Sequence, residues 1–166
     1  MAKKIAKTNA VRLLSQAKIA HELVRYEVDE NNLAATHVAE QLGENIAQVF
    51  KTLVLKGDRN GHLVCVIAGD KELDLKLAAK ASGNKSVEMI PMKELLATTG
   101  YIRGACSPIG MKRKFPTYID SSALEFEVIY VSAGVRGMQI EINPNDLIEF
   151  VEAEVTNLMT ETSSAP

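Results

Sequence analysis

Cysteine, net charge and long apolar runs are all scarce in this chain, and each scarcity excludes something. There are two cysteines in 166 residues, Cys65 and Cys106, with no Cys-x-x-Cys spacing. A disulfide-stapled scaffold is therefore excluded, and a reducing compartment is the natural setting. The net charge is only −2, so there is no global attraction to nucleic acid or to an anionic bilayer, and any basic contact surface must be local. No apolar run reaches the roughly 20 residues of a membrane-spanning helix. The N-terminal stretch Met1 to Val11 is basic but lacks the apolar segment of a signal peptide, so a cytoplasmic protein with no membrane partner is expected. His21, His37 and His62 pair with no other histidine or cysteine at ligand spacing, and no metal site is expected. The glycine-rich stretches fit neither the phosphate-loop nor the dinucleotide pattern, which leaves no cofactor expected from motifs.

What remains is the composition of a globular domain, 46% hydrophobic and 24% charged. The length suits a single domain with one core, placed at 9–158 between tails at 1–8 and 159–166. Thr8 is an N-cap for a first helix reaching about Lys18, followed by a strand from Leu23 to Val28. Thr36 to Leu42 reads as a short helix closed by Gly43. The strand around Phe50 to Lys56 and the strand His62 to Ala68 form a hairpin across Gly57 to Gly61. Asp74 to Ala81 is helical, Ser86 to Met89 a short strand, and Pro91 opens a helix to about Thr98. Thr117 to Asp120 is a strand, with Ser121 or Ser122 capping the turn that follows. Val128 to Val131 and Met138 to Ile142 flank a glycine turn; Asn143 starts a last helix, and Val155 to Leu158 closes the chain as a strand. Hairpins interspersed with short helices predict an α+β fold with a mixed, largely antiparallel sheet.

Two stretches stand out chemically. Lys51 interrupts an otherwise apolar strand, Gln48 to Lys56, whose two faces both look buried. An ammonium there must be paired, reach an edge, or face a polar cavity. The second stretch, Gly100 to Pro116, has three glycines, two prolines and little periodicity, the profile of a functional loop. Its glycines bring backbone amides close to a ligand and Arg103 adds charge. The turn at Ser132 to Gly134 can act likewise. A basic run, Met111 to Phe115, gives a local patch with Arg103 and Arg136, although such runs are usually solvated loops. Cys106 is the one credible nucleophile, but no neighbouring residue supplies its base. These features describe a pocket with backbone donors and one cation, suited to phosphate or carbonyl oxygens.

The segments Phe50 to Lys56, Asp74 to Met89, Thr99 to Gly110 and Ser122 to Gly137 together resemble the YbaK/EbsC family of bacterial aminoacyl-tRNA deacylases. The match runs from about Asn9 to Leu158 in consistent order. The resemblance implies a sheet partly closed into a barrel and surrounded by short helices. It also implies trans-editing of cysteine mischarged onto proline tRNA, Cys-tRNA(Pro), with Cys-tRNA(Cys) a further substrate. Proline and cysteine are close in size, so a synthetase pocket cannot reject cysteine by shape alone. Carried onto this chain, Lys51 is the catalytic residue of the family's Phe-Lys-Thr-Leu motif. Tyr26, Thr52, Gly104, Ser107, Pro108, Ser132 and Gly134 bind substrate, and Arg103, Lys112, Arg113 and Arg136 meet the tRNA. Charged tRNA is the implied partner, with prolyl-tRNA synthetase in a transient complex.

The family mechanism needs no protein nucleophile, because the cargo's own thiol attacks its ester. The chain departs from the family at Gly104-Ala-Cys-Ser-Pro108 and Ser132-Ala-Gly-Val-Arg-Gly137, which reshapes the pocket. Alternatives are a deacylase for another amino acid such as alanine, a non-catalytic tRNA- or synthetase-binding module, and a Schiff-base enzyme using Lys51.

Overall fold

The computed structural model describes residues 8–160. Helix α1 (Asn9–Gln16) begins at Thr8, whose hydroxyl accepts from the Val11 N–H at 3.2 Å, and buries Ala10, Val11 and Leu14. Strand β1 (His21–Arg25) lies earlier than the expected 23–28. The apolar Val28 that extended the pattern is exposed, so its hydrophobicity carried no pairing information. Helix α2 (Ala35–Leu42) closes on Gly43 in the left-handed region, as the glycine foretold, but starts at Ala34 with no side-chain cap.

A 3₁₀ turn, Ile46–Gln48, feeds the hairpin of β2 (Phe50–Gly57) and β3 (Gly61–Ala68). Asp74 caps α3 (Leu75–Ser82), accepting from the Lys76 and Leu77 N–H groups, and β4 (Val87–Met89) follows. The single helix expected from Pro91 is a 3₁₀ turn, Met92–Glu94, running into α4 (Leu95–Thr99). After β5 (Thr117–Asp120) the turn Ser121–Glu125 is capped by Asp120 rather than by Ser121 or Ser122. β6 (Ile129–Ser132), β7 (Met138–Ile142), α5 (Pro144–Val151) and β8 (Glu154–Thr156) complete the fold. The closing strand stops before Leu158 because that residue's N–H is taken by the Asp120 side chain at 2.8 Å. Of the expected tails, residues 1–7 and 161–166 lie outside the described residues, whereas Met159 bridges Leu73 and the Thr160 N–H donates to the Glu72 carbonyl.

The strands form two sheets, β1-β7-β6 and β4-β2-β3-β5-β8. Pairings are antiparallel except β3 with β5 and β5 with β8, so the mixed, largely antiparallel reading holds. The barrel does not. The two sheets meet at an isolated bridge between Val49 and Tyr130, and no ladder continues beyond it. With that bridge alone between β2 and β6, the outer edge of β2 at Lys51 and Thr52 is paired with no strand among the described residues.

The β2–β3 hairpin is buried on both faces, as its unbroken apolar character required. Phe50, Val54, Val64 and Val66 enter one core with α1, β6 and β7. Leu55, Leu63, Cys65 and Ile67 enter a second core with α3 and Leu158. By the period-two rule Lys51 is aligned with the second set and Thr52 with the first.

Candidate active site

The N-terminal half of β2 has a strand on one side only. β3 pairs along its whole length, while β4 reaches only Leu55 to Gly57 and the Ile90 N–H caps the Val54 carbonyl at 3.2 Å. Between that bond and the Val49 bridge no strand joins β2 at Lys51 or Thr52. Backbone groups alternate sides along a strand, so the Thr52 N–H and C=O point the same way as the Val54 carbonyl, into the gap.

The gap widens into a cavity of about 510 Å³, within the usual range of small-molecule sites. Its walls come from four places: the free edge of β2, the segment Asn31 to Val38 at the start of α2, the apolar residues Met89, Ile90, Met92 and Leu95, and the outer face of the β1-β7-β6 sheet.

Lys51 lines this cavity and forms no ion pair among the described residues. Burial holds its pKa below the ordinary lysine value, with Asp70 and Glu72 pulling more weakly the other way. It is a partly desolvated cation, which an anionic or carbonyl oxygen would stabilise. Thr52 beside it has a buried hydroxyl with no hydrogen-bond partner among the described residues. An unsatisfied buried hydroxyl is costly, which in a cavity wall points to a missing ligand group.

Two loops form the rim. Gly104 turns at φ +84, and a Cβ there would press on Leu33 at 3.3 Å, so glycine keeps the two rim segments in contact. The Ser132 hydroxyl donates to the Ala105 carbonyl at 2.9 Å and accepts from the Gly134 N–H at 3.1 Å, tying the second loop to the first. The Arg136 Nε donates to the Arg103 carbonyl at 2.8 Å, which ties Arg136 to the loop from which Arg103 lines the cavity.

The three-stranded sheet supplies a polar wall, because Gln139, Glu141, Tyr130 and Ser132 alternate with the core residues Met138, Ile140, Ile129 and Val131. Its most buried member is Gln139, 4% exposed. Its hydrogen-bonding surroundings orient the carboxamide nitrogen toward Glu44, donating to the two carboxylate oxygens at 2.5 and 2.8 Å. Burial pushes the Glu44 carboxyl up to about 7, against the lowering effect of that bond and with nearby Glu141 adding to the rise. The Tyr130 hydroxyl donates to Glu141 at 3.0 Å.

Of the residues anticipated as substrate contacts, Lys51, Tyr26, Thr52, Gly104, Ser132 and Arg103 line the cavity. Ser107, Pro108 and Gly134 do not. Ser107 is fully buried and its hydroxyl accepts from the Ile109 N–H, Pro108 borders a separate, smaller cavity, and Gly134 packs against the Tyr101 ring. They shape the loops that carry the wall. Lys112 and Arg113 are exposed, and Arg113 borders the smaller cavity.

Cys106 does line the main cavity, but burial pushes its thiol up to about 12, which keeps it neutral and removes it as a nucleophile. Gln139, Glu44 and the apolar wall were missed by sequence reasoning. The alternation of polar Gln139 and Glu141 with apolar Met138 and Ile140 signalled a two-faced strand, but not that its polar face borders a pocket.

Comparison with known proteins places this geometry. The family model described as "Aminoacyl-tRNA editing domain" matches residues 29–150, which include the cavity walls from Asn31 to Gln139. "Putative Cys-tRNA(Pro)/Cys-tRNA(Cys) deacylase EbsC" of Enterococcus faecalis is 49% identical over 154 residues, covering 93% of this chain and 94% of that protein. "Multifunctional Ser/Thr-tRNA deacylase ProXp-y" of Escherichia coli K12 is 26% identical over 151 residues, covering 89% of each. Among solved structures, hypothetical protein APE2540 superposes with a TM-score of 0.82 over 90% of this chain and 97% of its own, at 21% identity, a likeness of fold. With the family model matching residues 29–150 and the Enterococcus relative 49% identical over nearly the whole length, this chain is a member of the aminoacyl-tRNA editing domain family.

Proposed function

We propose that the protein is a free-standing editing enzyme that removes cysteine from mischarged Cys-tRNA(Pro), and from Cys-tRNA(Cys), with Lys51 as the catalytic group. The observation that carries this reading is the Lys51 ammonium, without an ion partner among the described residues, beside the Thr52 backbone edge that no described strand pairs, in a cavity whose cysteine is held neutral. The near-full-length identity to the Enterococcus relative supports the cargo.

The charged 3′ end enters through the mouth, where Arg103 and Arg136 meet its phosphates. The ester carbonyl lies at the β2 edge, with the Lys51 ammonium and the Thr52 N–H directed at the oxygen that becomes negative. The cargo's thiol sulfur then attacks the ester carbon. The C–S bond forms, the C–O bond to the ribose breaks, and the thiol proton passes to the ribose oxygen, leaving a cyclic thiolactone and free tRNA. The protein contributes orientation and charge stabilisation rather than a nucleophile. Tyr26, Thr52, Gly104 and Ser132 bound the cargo, with Ser107, Pro108 and Gly134 holding the loops; Lys112 and Arg113 extend the basic surface to the tRNA body. Prolyl-tRNA synthetase is proposed as a transient partner that delivers the substrate.

The test is deacylation of a panel of tRNAs charged with cysteine, serine, threonine and alanine, with and without prolyl-tRNA synthetase. Cysteine is expected to be released fastest, and Lys51→Ala to cut that rate about 10²–10³-fold, the usual cost of removing one oxyanion donor. Release of serine as fast as cysteine would overturn the thiol-assisted step. Wild-type rates in Lys51→Ala would overturn the site.

A further inference from the structure

We propose that Gln139, oriented by Glu44, forms the subsite for the α-ammonium group of the esterified amino acid. The inference rests on the deacylase reading and adds the part of the substrate that reading leaves unplaced.

Every aminoacyl ester carries an ammonium on the carbon next to the ester carbon. Bringing it into a cavity strips its water, so the wall must return an acceptor or a negative charge. The cationic groups Lys51, Arg103 and Arg136 cannot do so.

On the polar wall, the Ser132 hydroxyl is already committed as both donor and acceptor, the Tyr130 hydroxyl donates to Glu141, and Glu141 itself is not among the residues that line the cavity. Gln139 remains. It is almost fully buried yet lines the cavity. Its nitrogen is spent on both oxygens of Glu44, so its carbonyl oxygen, at the other end of the same planar group, is the acceptor turned away from Glu44. The carboxylate lies directly behind the amide and supplies the countercharge. Burial of Glu44 disfavours its charged form, and an arriving ammonium is the charge that restores it.

The placement also fits the scale of the ligand. Gln139 on β7 and Lys51 on β2 line the same cavity of about 510 Å³ from different sheets, so one bound aminoacyl group can meet both. The device tells free amino acids from blocked ones: a formylated or peptidyl cargo presents an amide where the ammonium should be. Glu44 touches no substrate here; it is a positioning residue acting through Gln139.

The experiment is calorimetric binding of a non-cleavable probe, adenosine bearing cysteine through a 3′-amide, with its amine free or acetylated. The wild type is expected to bind the free amine at least about tenfold more tightly, the scale of a hydrogen bond to a charged group. Glu44→Gln keeps an acceptor for the Gln139 amide while deleting the charge, and Gln139→Leu deletes the subsite. Each is expected to abolish the preference by weakening the free-amine probe and to leave the acetylated one unchanged, a selectivity that mere loss of structure would not produce. Equal wild-type affinity for both probes, or equal weakening of both in the variants, would overturn the proposal. Turnover of charged tRNA is read separately. Absence of turnover with the amine preference intact would overturn the deacylase reading and leave the subsite standing.

Discussion

The two ends of β2 use the same strand for opposite purposes. At its C-terminal end Gly57 is paired with β3 and β4, and the polar side chains that hold the turn are hydrogen-bonded. Asn84, itself buried, accepts from the Arg59 and Asn60 N–H groups at 2.9 Å and donates to the Ser82 hydroxyl at 2.8 Å. Asp58 accepts from Lys85 and Ser86. At the N-terminal end, Lys51 has no ion partner among the described residues, Thr52 has an unsatisfied hydroxyl, and the outer edge is unpaired. One end is optimised for stability and the other carries uncompensated polar groups in a cavity wall. Satisfied polar networks fix structure, and unsatisfied ones in a pocket wall mark where a ligand completes the bonding.

Paired substitutions give the sharpest break of this comparison. Lys51→Ala is expected to lose about 10²–10³-fold in deacylation with no fall in thermal midpoint, since it removes a desolvated charge that the resting fold does not use. Gly57→Ala should do the reverse. Its added Cβ would lie 2.2 Å from the Asn84 Nδ2 and 2.4 Å from its Oδ1, forcing out a side chain held by three hydrogen bonds. A loss of about 3 kcal/mol is expected from overpacking and broken buried bonds, measured by urea denaturation, with turnover of the folded fraction near wild type. If Gly57→Ala abolished turnover while folded, or Lys51→Ala lowered stability, the two ends would not be functionally separate.

This division explains what was legible in the sequence. Where structure follows from local chemistry, the reading held: Thr8 caps the first helix, Asn143 starts the last, Gly43 closes α2, and the hairpin forms across Gly57 to Gly61. The oddity of Lys51 in a buried strand was visible because burying an ammonium is costly wherever the strand lies. Sheet closure was not legible. Whether β2 and β6 zip together or part after one bridge is decided by residues some 80 positions apart, and nothing in either strand's own pattern encodes it. Gln139 and Glu44 escaped for the same reason, since their pairing joins the end of α2 to β7. Ser107 and Pro108 failed to reach the cavity wall because a loop motif specifies a backbone path and not which side of it faces the ligand.

Thr52→Val sharpens the comparison at smaller scale. Valine keeps the β-branched shape suited to a strand and removes the buried hydroxyl that has no partner. The variant is expected to gain about 1 kcal/mol in stability while deacylation falls, because in the proposed site the hydroxyl is one of the groups a bound substrate satisfies. Differential scanning calorimetry with and without the 3′-amide probe reads both effects. A stability loss in the empty protein would mean that the hydroxyl has a partner at rest and that the open end is less open than its bonding suggests.

The smallest expected effect is also the one whose direction reverses the usual behaviour of a carboxylate. Burial raises Glu44 from 4.5 to about 7, with Glu141 adding repulsion and the Gln139 bond opposing both. A carboxyl that holds its proton more tightly folded than unfolded stabilises the fold most at low pH, and that contribution is lost as pH rises from about 4.5 through about 7. The full shift would correspond to about 3 kcal/mol, but Glu44 is only half-buried and solvent screening reduces this to about 1 kcal/mol. Glu44→Gln carries no such titration. Its melting temperature should exceed that of the wild type by roughly 3 °C near pH 8, and the advantage should vanish near pH 5. Binding of the free-amine probe should shrink the pH 8 gap, because an ammonium beside Gln139 relieves the buried charge that the wild type carries there. A gap that is the same at both pH values, or that the probe leaves untouched, would place Glu44 with the satisfied structural groups around Asn84 and not with the open end of β2.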